Sequence, residues 1–424
     1  MCKKTKVLNI LCVVMCLLLC VSGCGSKGDL NIVDNESGLV DTESNNVSSK
    51  DDPATEATVP IQEENNDVDE KPQSNHAVET DLKLESSQVV ETDLKPSEGL
   101  AFESNGDGTC TIVGIGTCTD KDLVIPEKSP NGDTVTLIDE YAFYSLKDVD
   151  SVTLVNFNYE VDKNAFQYGE FKTLNIIGGS PVIKKSAFSS CEKLTSILLS
   201  DCNIQAGEYA FYSCGKDADV TFTNCTGIIE NNAFQYGDLL SLTISNCDLE
   251  IEKSAFSRCE DLTSIVFKDS TIETDEYAFY SCGDKAKVEM TNCSLVFDDR
   301  TFQYSSIESL TITGSKVDMG DSVFSRCEDL VDVNIDCDSV ILGEYAFYSC
   351  EDLINVTICA NSRSDNEIKI DDRAFQYCEE LITVAIGNGN IEIGEYVFSS
   401  CDDSLEITIA GKNYTADAIK SGLK

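Results

Sequence analysis

One phenylalanine per short repeat marks most of this chain, at Phe143, Phe166, Phe188, Phe211, Phe234, Phe256, Phe279, Phe302, Phe324, Phe347, Phe375 and Phe398, with spacings of 22 or 23 and one longer step of 28 before Phe375. So short a period leaves room for one small structural unit per copy. A unit of that size cannot enclose a core of its own, so copies must stack on one another. A longer period overlies the first: EYAFYS begins at Glu140, Glu208, Glu276 and Glu344, a constant interval, so the duplicated unit is three coils long. AFQY or TFQY marks the second coil of each unit, and SAFS, SVFS or YVFS the third. Twelve coils are predicted.

Within a coil the apolar positions keep fixed places, as in Phe188, Cys191, Leu194, Ile197, Leu199 and Ile204, and again in Phe256, Cys259, Leu262, Ile265, Phe267 and Ile272. Strand side chains alternate between faces, so Ile197 and Leu199 point inward while Ser196 and Leu198 point out. A second alternating pair precedes the next phenylalanine, as in Leu249 and Ile251 or Val317 and Met319, giving two short strands per coil. The Ala-Phe-x-x-Cys segment has room for one helical or 3-10 turn. Burying five or six large side chains contributes about 1.5 to 3 kcal/mol each, whereas ordering a coil costs about 1 to 2 kcal/mol per residue, so a lone coil stays unfolded. Stacked at about 4.8 Å, twelve coils share one core roughly 55 to 60 Å long. The first three FQY coils lack the Cys and bring the strand residue one position earlier, at Phe171, Leu239 and Ile307. The step of 28 reflects a short insertion near Asn361 to Asn366, predicted to form a surface loop.

The motif Ala-Phe-x-x-Cys-x-x-Leu-x-x-Ile-x-Ile resembles the BspA-like class of bacterial leucine-rich repeats, over about residues 100 to 424. The stretch Asp107 to Thr119, followed by Leu123-Val-Ile-Pro126, is similar to the amino-terminal module that opens many such arrays. The chain departs from the pattern where the Cys becomes Leu146, Gly169, Gly237 or Ser305, and where the usual Ile-Pro after the strand is missing. The resemblance implies a β-dominated α/β fold: a right-handed leucine-rich repeat solenoid of about twelve coils. It also implies a surface-exposed protein engaged in adhesion or host interaction.

The amino terminus has its own signature. Lys3, Lys4 and Lys6 precede an apolar stretch from Val7 to Val21, too short for a comfortable membrane span. Val21-Ser22-Gly23-Cys24 resembles the bacterial lipobox, which implies cleavage before Cys24 and a lipid on its thiol; two acyl chains give lasting attachment. Residues 25 to 100 carry 19 acidic and 5 basic side chains and almost no aromatics, so they read as a self-repelling tether. The expected organisation is a signal peptide (1–23), a disordered acidic tether (24–100), an entry module (101–137), the solenoid (138–410) and a cap (411–424).

From Ala101 to Lys424 the chain carries 23 basic and 56 acidic side chains, a formal −33, which disfavours nucleic acid and anionic lipid surfaces as partners. The one histidine, His76, falls in the tether, so a Ser-His-Asp or Cys-His catalytic pair cannot be built in the folded part. Its cysteines form no C-x-x-C pair and recur at fixed coil positions, which points to core packing; no metal or cofactor is expected. Disulfides between neighbouring coils are the alternative, since a spacing of about 4.8 Å is within reach, but parallel stacked side chains rarely achieve the χ3 of about 90° that a bridge demands; Cys110 and Cys118 are the favoured pair for a bridge. The outward strand positions Ser151, Thr153, Thr173, Asn175, Asp219, Thr221, Ser241, Thr243, Ser264, Ser309, Thr311, Asp332, Asn334, Asn355 and Thr357 form a hydroxyl-rich face, the candidate site for an extracellular protein or glycan. Plain β-propensity accounts for such a face as well. Tyr144, Tyr212, Tyr280 and Tyr348, about 14 Å apart along the stack, are either contact anchors or packing between coils. The expected molecule is a lipid-anchored, monomeric binding protein on the outer surface of a bacterium; a passive spacer without a ligand is the alternative.

Overall fold

In the computed structural model residues 94–423 are described, apart from 315 and 360–365. They belong to a unit running from Ser86 to Lys424. The twelve repeat phenylalanines form a single column, with successive ring centroids 4.5 to 5.6 Å apart and planes within 14° of parallel. All are buried. Stacked aromatic pairs contribute about 0.5 to 1.5 kcal/mol beyond their area burial, so this column holds each coil to the next.

The coils feed two fourteen-stranded sheets. One contains strands such as Ser196–Ser200, Ala218–Thr223 and Leu239–Ser245, parallel and in register, with Ile197 beside Val220 and Val220 beside Leu242. The other contains Asn203–Ala206, Thr226–Ile229 and Asp248–Ile251. Ile197 and Leu199 are buried while Ser196 and Leu198 face outward, as the alternation requires. Slipping any strand by one residue would turn its core side chains to solvent, which is what fixes the register. Twelve phenylalanine-bearing coils, preceded by a turn from the entry segment, make a solenoid of about thirteen turns.

The segment around each phenylalanine differs from expectation. It is a turn, not a helix, because two residues four apart adopt left-handed backbone: Tyr141 (φ 60°) and Ser145 (φ 53°) in the first coil, Ser254 (φ 58°) and Arg258 (φ 60°) further on. A helix cannot run through such residues. The reward is a further hydrogen-bond ladder. Ala142, Tyr144 and Leu146 donate within their own turn, to Asp139, Tyr141 and Phe143, while Phe143 and Ser145 donate to Ala165 and Gln167 of the next coil. The alternation of left- and right-handed backbone sends every other N–H along the stack.

The cysteines lie in the core. Cys191, Cys259, Cys282, Cys327, Cys350, Cys378 and Cys401 each donate the thiol proton to the carbonyl of the preceding coil's phenylalanine, at 2.8 to 3.3 Å. Ser305 replaces the cysteine in its coil and its hydroxyl donates to Phe279 O in the same way. In the other short coils the missing side chain is replaced in volume: a Cβ on Gly169 would come within 2.3 Å of the Phe171 ring, which already fills that space, and Leu239 crowds Gly237 similarly. The one-residue deletion and the glycine therefore belong together. The weighed bridge between Cys110 and Cys118 is not formed. Both are free thiols; Cys110 alternates inward on its strand and donates to Asp133 O, and Cys118 is only partly buried.

Each sheet ends in a short antiparallel strand or a capping segment and not in a full-length coil strand, which limits the unpaired templates that invite association. Ala101–Ser104 and Lys412–Tyr414 add antiparallel edge strands. Ser97 exchanges hydrogen bonds with Val124 through its backbone and hydroxyl, and Leu423 bridges Ile393 behind the 3-10 turn Ala416–Ile419. Residues 94–100 were expected in the tether; they are part of this capping, with Ser97 and Leu100 buried. Residues 361–365 of the expected loop lie outside the described residues, as do Cys24 and His76. The strands either side of the loop keep register with their neighbours, so the insertion leaves both sheets unbroken.

Candidate binding surface

Of the exposed surfaces that run along the stack, two carry the residues singled out in the sequence. The first is the outward side of the sheet containing Ser196–Ser200. Here the register brings the sequence-predicted residues into two rows: Ser151, Thr173, Asp219, Ser241, Ser264, Ser309, Asp332 and Asn355 in one, and Thr153, Asn175, Thr221, Thr243, Thr311, Asn334 and Thr357 in the other. The rows are not continuous. Leu198 and Val266 interrupt the second, and Lys287 and Glu289 interrupt both between Ser264 and Ser309. Thr153 is a correction to the exposed set: it is 5% exposed, beside Val124, where the Ser97 segment caps the sheet. Much of the polar capacity is turned sideways. Ser151 donates to Asp122 (2.7 Å), Asn175 to Thr153 (3.2 Å), Ser241 to Asp219, Asn355 to Asp332 (2.8 Å) and Thr383 to Asn355 (2.6 Å).

The second surface is the outer edge of the phenylalanine turns. Three columns ascend it: the left-handed residue before Ala-Phe, the residue after Phe, and the second left-handed residue. In the first unit they read Tyr141, Tyr144 and Ser145, then Asn164, Gln167 and Tyr168, then Ser186, Ser189 and Ser190. Tyr144 meets Tyr141 and Tyr168 edge to face at 5.5 Å, and the same three-ring cluster recurs around Tyr212, Tyr280 and Tyr348 at 5.3 to 5.7 Å. Burial, with Tyr236 and Tyr209 alongside, pushes the Tyr212 phenol above its ordinary range. The tyrosines pack on one another, yet Tyr141, Tyr144, Tyr168, Tyr236, Tyr304, Tyr377 and Tyr396 are each 38 to 52% exposed.

This ridge was read from sequence only at Tyr144, Tyr212, Tyr280 and Tyr348; its other members were missed. Thirteen of the chain's fifteen tyrosines and four of its five arginines lie on it, a segregation that packing alone does not require. The arginines enter late. Asn164 and Asn232 occupy the place that Arg300 and Arg373 take in the later units, and Ser190 the place of Arg258 and Arg326. Their guanidinium groups lie 5.7 to 5.8 Å from tyrosine ring centres. Arg373 also pairs with Glu344 at 2.9 Å; among the described residues, Arg258, Arg300 and Arg326 make no ion pair. A concavity of about 560 Å³ opens on the ridge between Arg300, Gln303, Arg326, Tyr345, Tyr348, Gln376 and Tyr377, with Ser322 and Ser325 at its floor. Among the described residues no group of three or more His, Cys, Asp or Glu side chains is placed to hold a metal ion.

The repeat geometry has a counterpart among known families: the BspA type leucine rich repeat region, in six copies, matches residues 125–240, 227–354 and 296–418. The chain belongs to that family. BspA-type repeats thus account for the solenoid. Solved structures similar to the chain include a leucine-rich repeat protein of Bacteroides ovatus (23% identity, covering 74% of this chain and 88% of that one, TM-score 0.36). A leucine rich cell surface protein of Faecalibacterium prausnitzii is 20% identical over 68% of this chain and 94% of that one, with a TM-score of 0.20. The pneumococcal vaccine antigen PcpA is 14% identical over 76% and 88%, with a TM-score of 0.26. No curated protein matches the chain.

Proposed function

We propose that this BspA-type repeat protein is a surface-displayed binding module, held to the membrane through a lipid on Cys24, that engages an extracellular protein or glycan along its solenoid. The observation that carries this reading is the ridge: nearly all tyrosines and arginines of a strongly acidic chain are gathered on one exposed edge, and these residue types concentrate binding energy at interfaces. The hydroxyl rows, from Ser151 and Thr173 through Ser241, Thr243, Ser309 and Thr311 to Asn355 and Thr357, offer a second, weaker surface. The proposed state is a monomer, consistent with short, capped sheet ends. Family membership supports surface display and a repeat-based interaction role.

A passive spacer is the second reading, and the lateral hydrogen bonds of the sheet face favour it there. Capture separates the two. The immobilised chain is expected to retain at least one extracellular host or neighbour-cell component saturably at physiological salt; absence of saturation across a broad panel would leave the spacer. Replacing Cys24 with Ala is expected to move the protein from the membrane fraction to the soluble one, and retention would count against lipid attachment.

A further inference from the structure

The chemistry and periodicity of the ridge narrow the ligand. A partner must match a surface that repeats: the tyrosine cluster returns every three coils, about 14 Å, on a stack whose successive coils are related by the same hydrogen bonds. A globular protein meets such a row once. An extended polymer with the same groups along its length meets it at each cluster, and the second and later contacts cost little once the first has formed.

Charge decides which polymer. The folded part carries a formal −33, and acidic side chains flank the ridge at Asp321, Glu344 and Asp372, so a polyanion is repelled along the whole approach. A polycation would bind carboxylates anywhere on the surface and would need no tyrosines. A neutral chain feels neither field. Tyrosine offers it flat apolar faces rimmed by hydroxyls, while Arg300, Arg326, Gln303 and Gln376 line the concavity with N–H donors. Arg300 and Arg326 are oriented by tyrosine rings and not engaged by carboxylates. Flat rings beside amide and guanidinium donors are what a pyranose needs, with its C–H face and its ring of hydroxyls.

We propose that the tyrosine ridge is a binding track for an extended neutral polysaccharide, with its strongest subsite in the concavity between Arg300, Arg326 and Tyr377. This rests on the binding-module reading and supplies its ligand class. The arginine-bearing units downstream of Arg258 grip; the earlier ones, with Asn and Ser in those places, extend the track.

The test is affinity electrophoresis of the full chain through gels containing soluble xyloglucan, arabinoxylan, galactomannan or dextran, with alginate as the anionic control. At least one neutral polymer is expected to retard the protein, equally at low and high salt, with no retardation by alginate. Tyr304→Asn together with Tyr377→Asn removes two rings while keeping a residue that tolerates left-handed backbone; apparent affinity is expected to fall at least tenfold while the cooperative melting transition is retained. Arg300→Asn with Arg326→Ser installs residues found at the same places upstream and is expected to weaken binding three- to tenfold. Retardation by no neutral polymer, or retardation that survives the tyrosine changes, overturns the proposal. Saturable capture of a protein in the earlier assay, alongside silence here, would overturn the glycan assignment and leave the module reading standing; silence in both removes both.

Discussion

The hydroxyl-bearing sheet face and the tyrosine ridge are built from the same coils and are equally repetitive, yet they handle polar groups in opposite ways. On the sheet face, Ser, Thr, Asn and Asp side chains reach sideways to the next coil, as Asn355 does to Asp332 and Thr383 to Asn355. On the ridge the stacking bonds are made by the backbone, leaving tyrosine rings and guanidinium groups turned outward. A face whose donors and acceptors answer one another has little left for a ligand. A face whose architecture is carried by its main chain is free to vary its side chains, and the replacement of Asn164 and Ser190 by arginine in later units occurs there.

That contrast depends on the core beneath the ridge, and the largest effect comes from removing it. Phe256→Ala opens a cavity in the middle of the ring column and is expected to cost about 3 to 5 kcal/mol, read as a fall in urea midpoint; a loss under about 1 kcal/mol would mean the ridge backbone stands without the rings. Inside and outside of the same turn should differ as sharply in reactivity. Burial pushes the Cys191 thiol up to about 12, so at pH 8 alkylation by iodoacetamide is expected to be about a thousandfold slower in the native protein than after unfolding. Comparable rates would place that cysteine outside the core.

Cys327→Ala removes the thiol donor from the Phe302 carbonyl, which keeps only the Ser305 N–H, and is expected to cost about 0.5 to 1.5 kcal/mol. Cys327→Ser should cost distinctly less, because Ser305 performs that task one coil earlier; equal losses would show that volume and not the hydrogen bond matters. Smallest is the sign test between the faces. Ser254→Gly relieves left-handed strain on the ridge edge and should be neutral or stabilising by up to about 1 kcal/mol, whereas Asp332→Ala on the sheet strips Asn355 of its acceptor and should destabilise by about 0.5 to 1.5 kcal/mol. Two changes of the same sign and size would erase the distinction between the faces.

The stack was legible in the sequence because its determinants are periodic: one phenylalanine in every coil and a period-two strand between. So was the inward place of the cysteines, since repetition at one coil position has only packing to explain it. The turn conformation was not legible. Ser, Asn, Tyr and Arg all occupy its left-handed positions, and no glycine marks them. The hydroxyl rows do share one face, but outward direction in the sequence says nothing about whether neighbours along the stack consume the hydrogen bonds. The ridge was half visible: Tyr144 and its three counterparts stood out, while the AFQY tyrosines and the arginines, spread through the sequence, become one surface only when coils are superposed.

The backbone ladder through the turns also bears on how such a molecule changes over generations. Every junction between three-coil units presents the same donors and acceptors, so duplicating or losing one whole unit within the array rejoins without a mismatched seam and without disturbing either capped end. Length is therefore the property this architecture can alter most cheaply, one segment at a time.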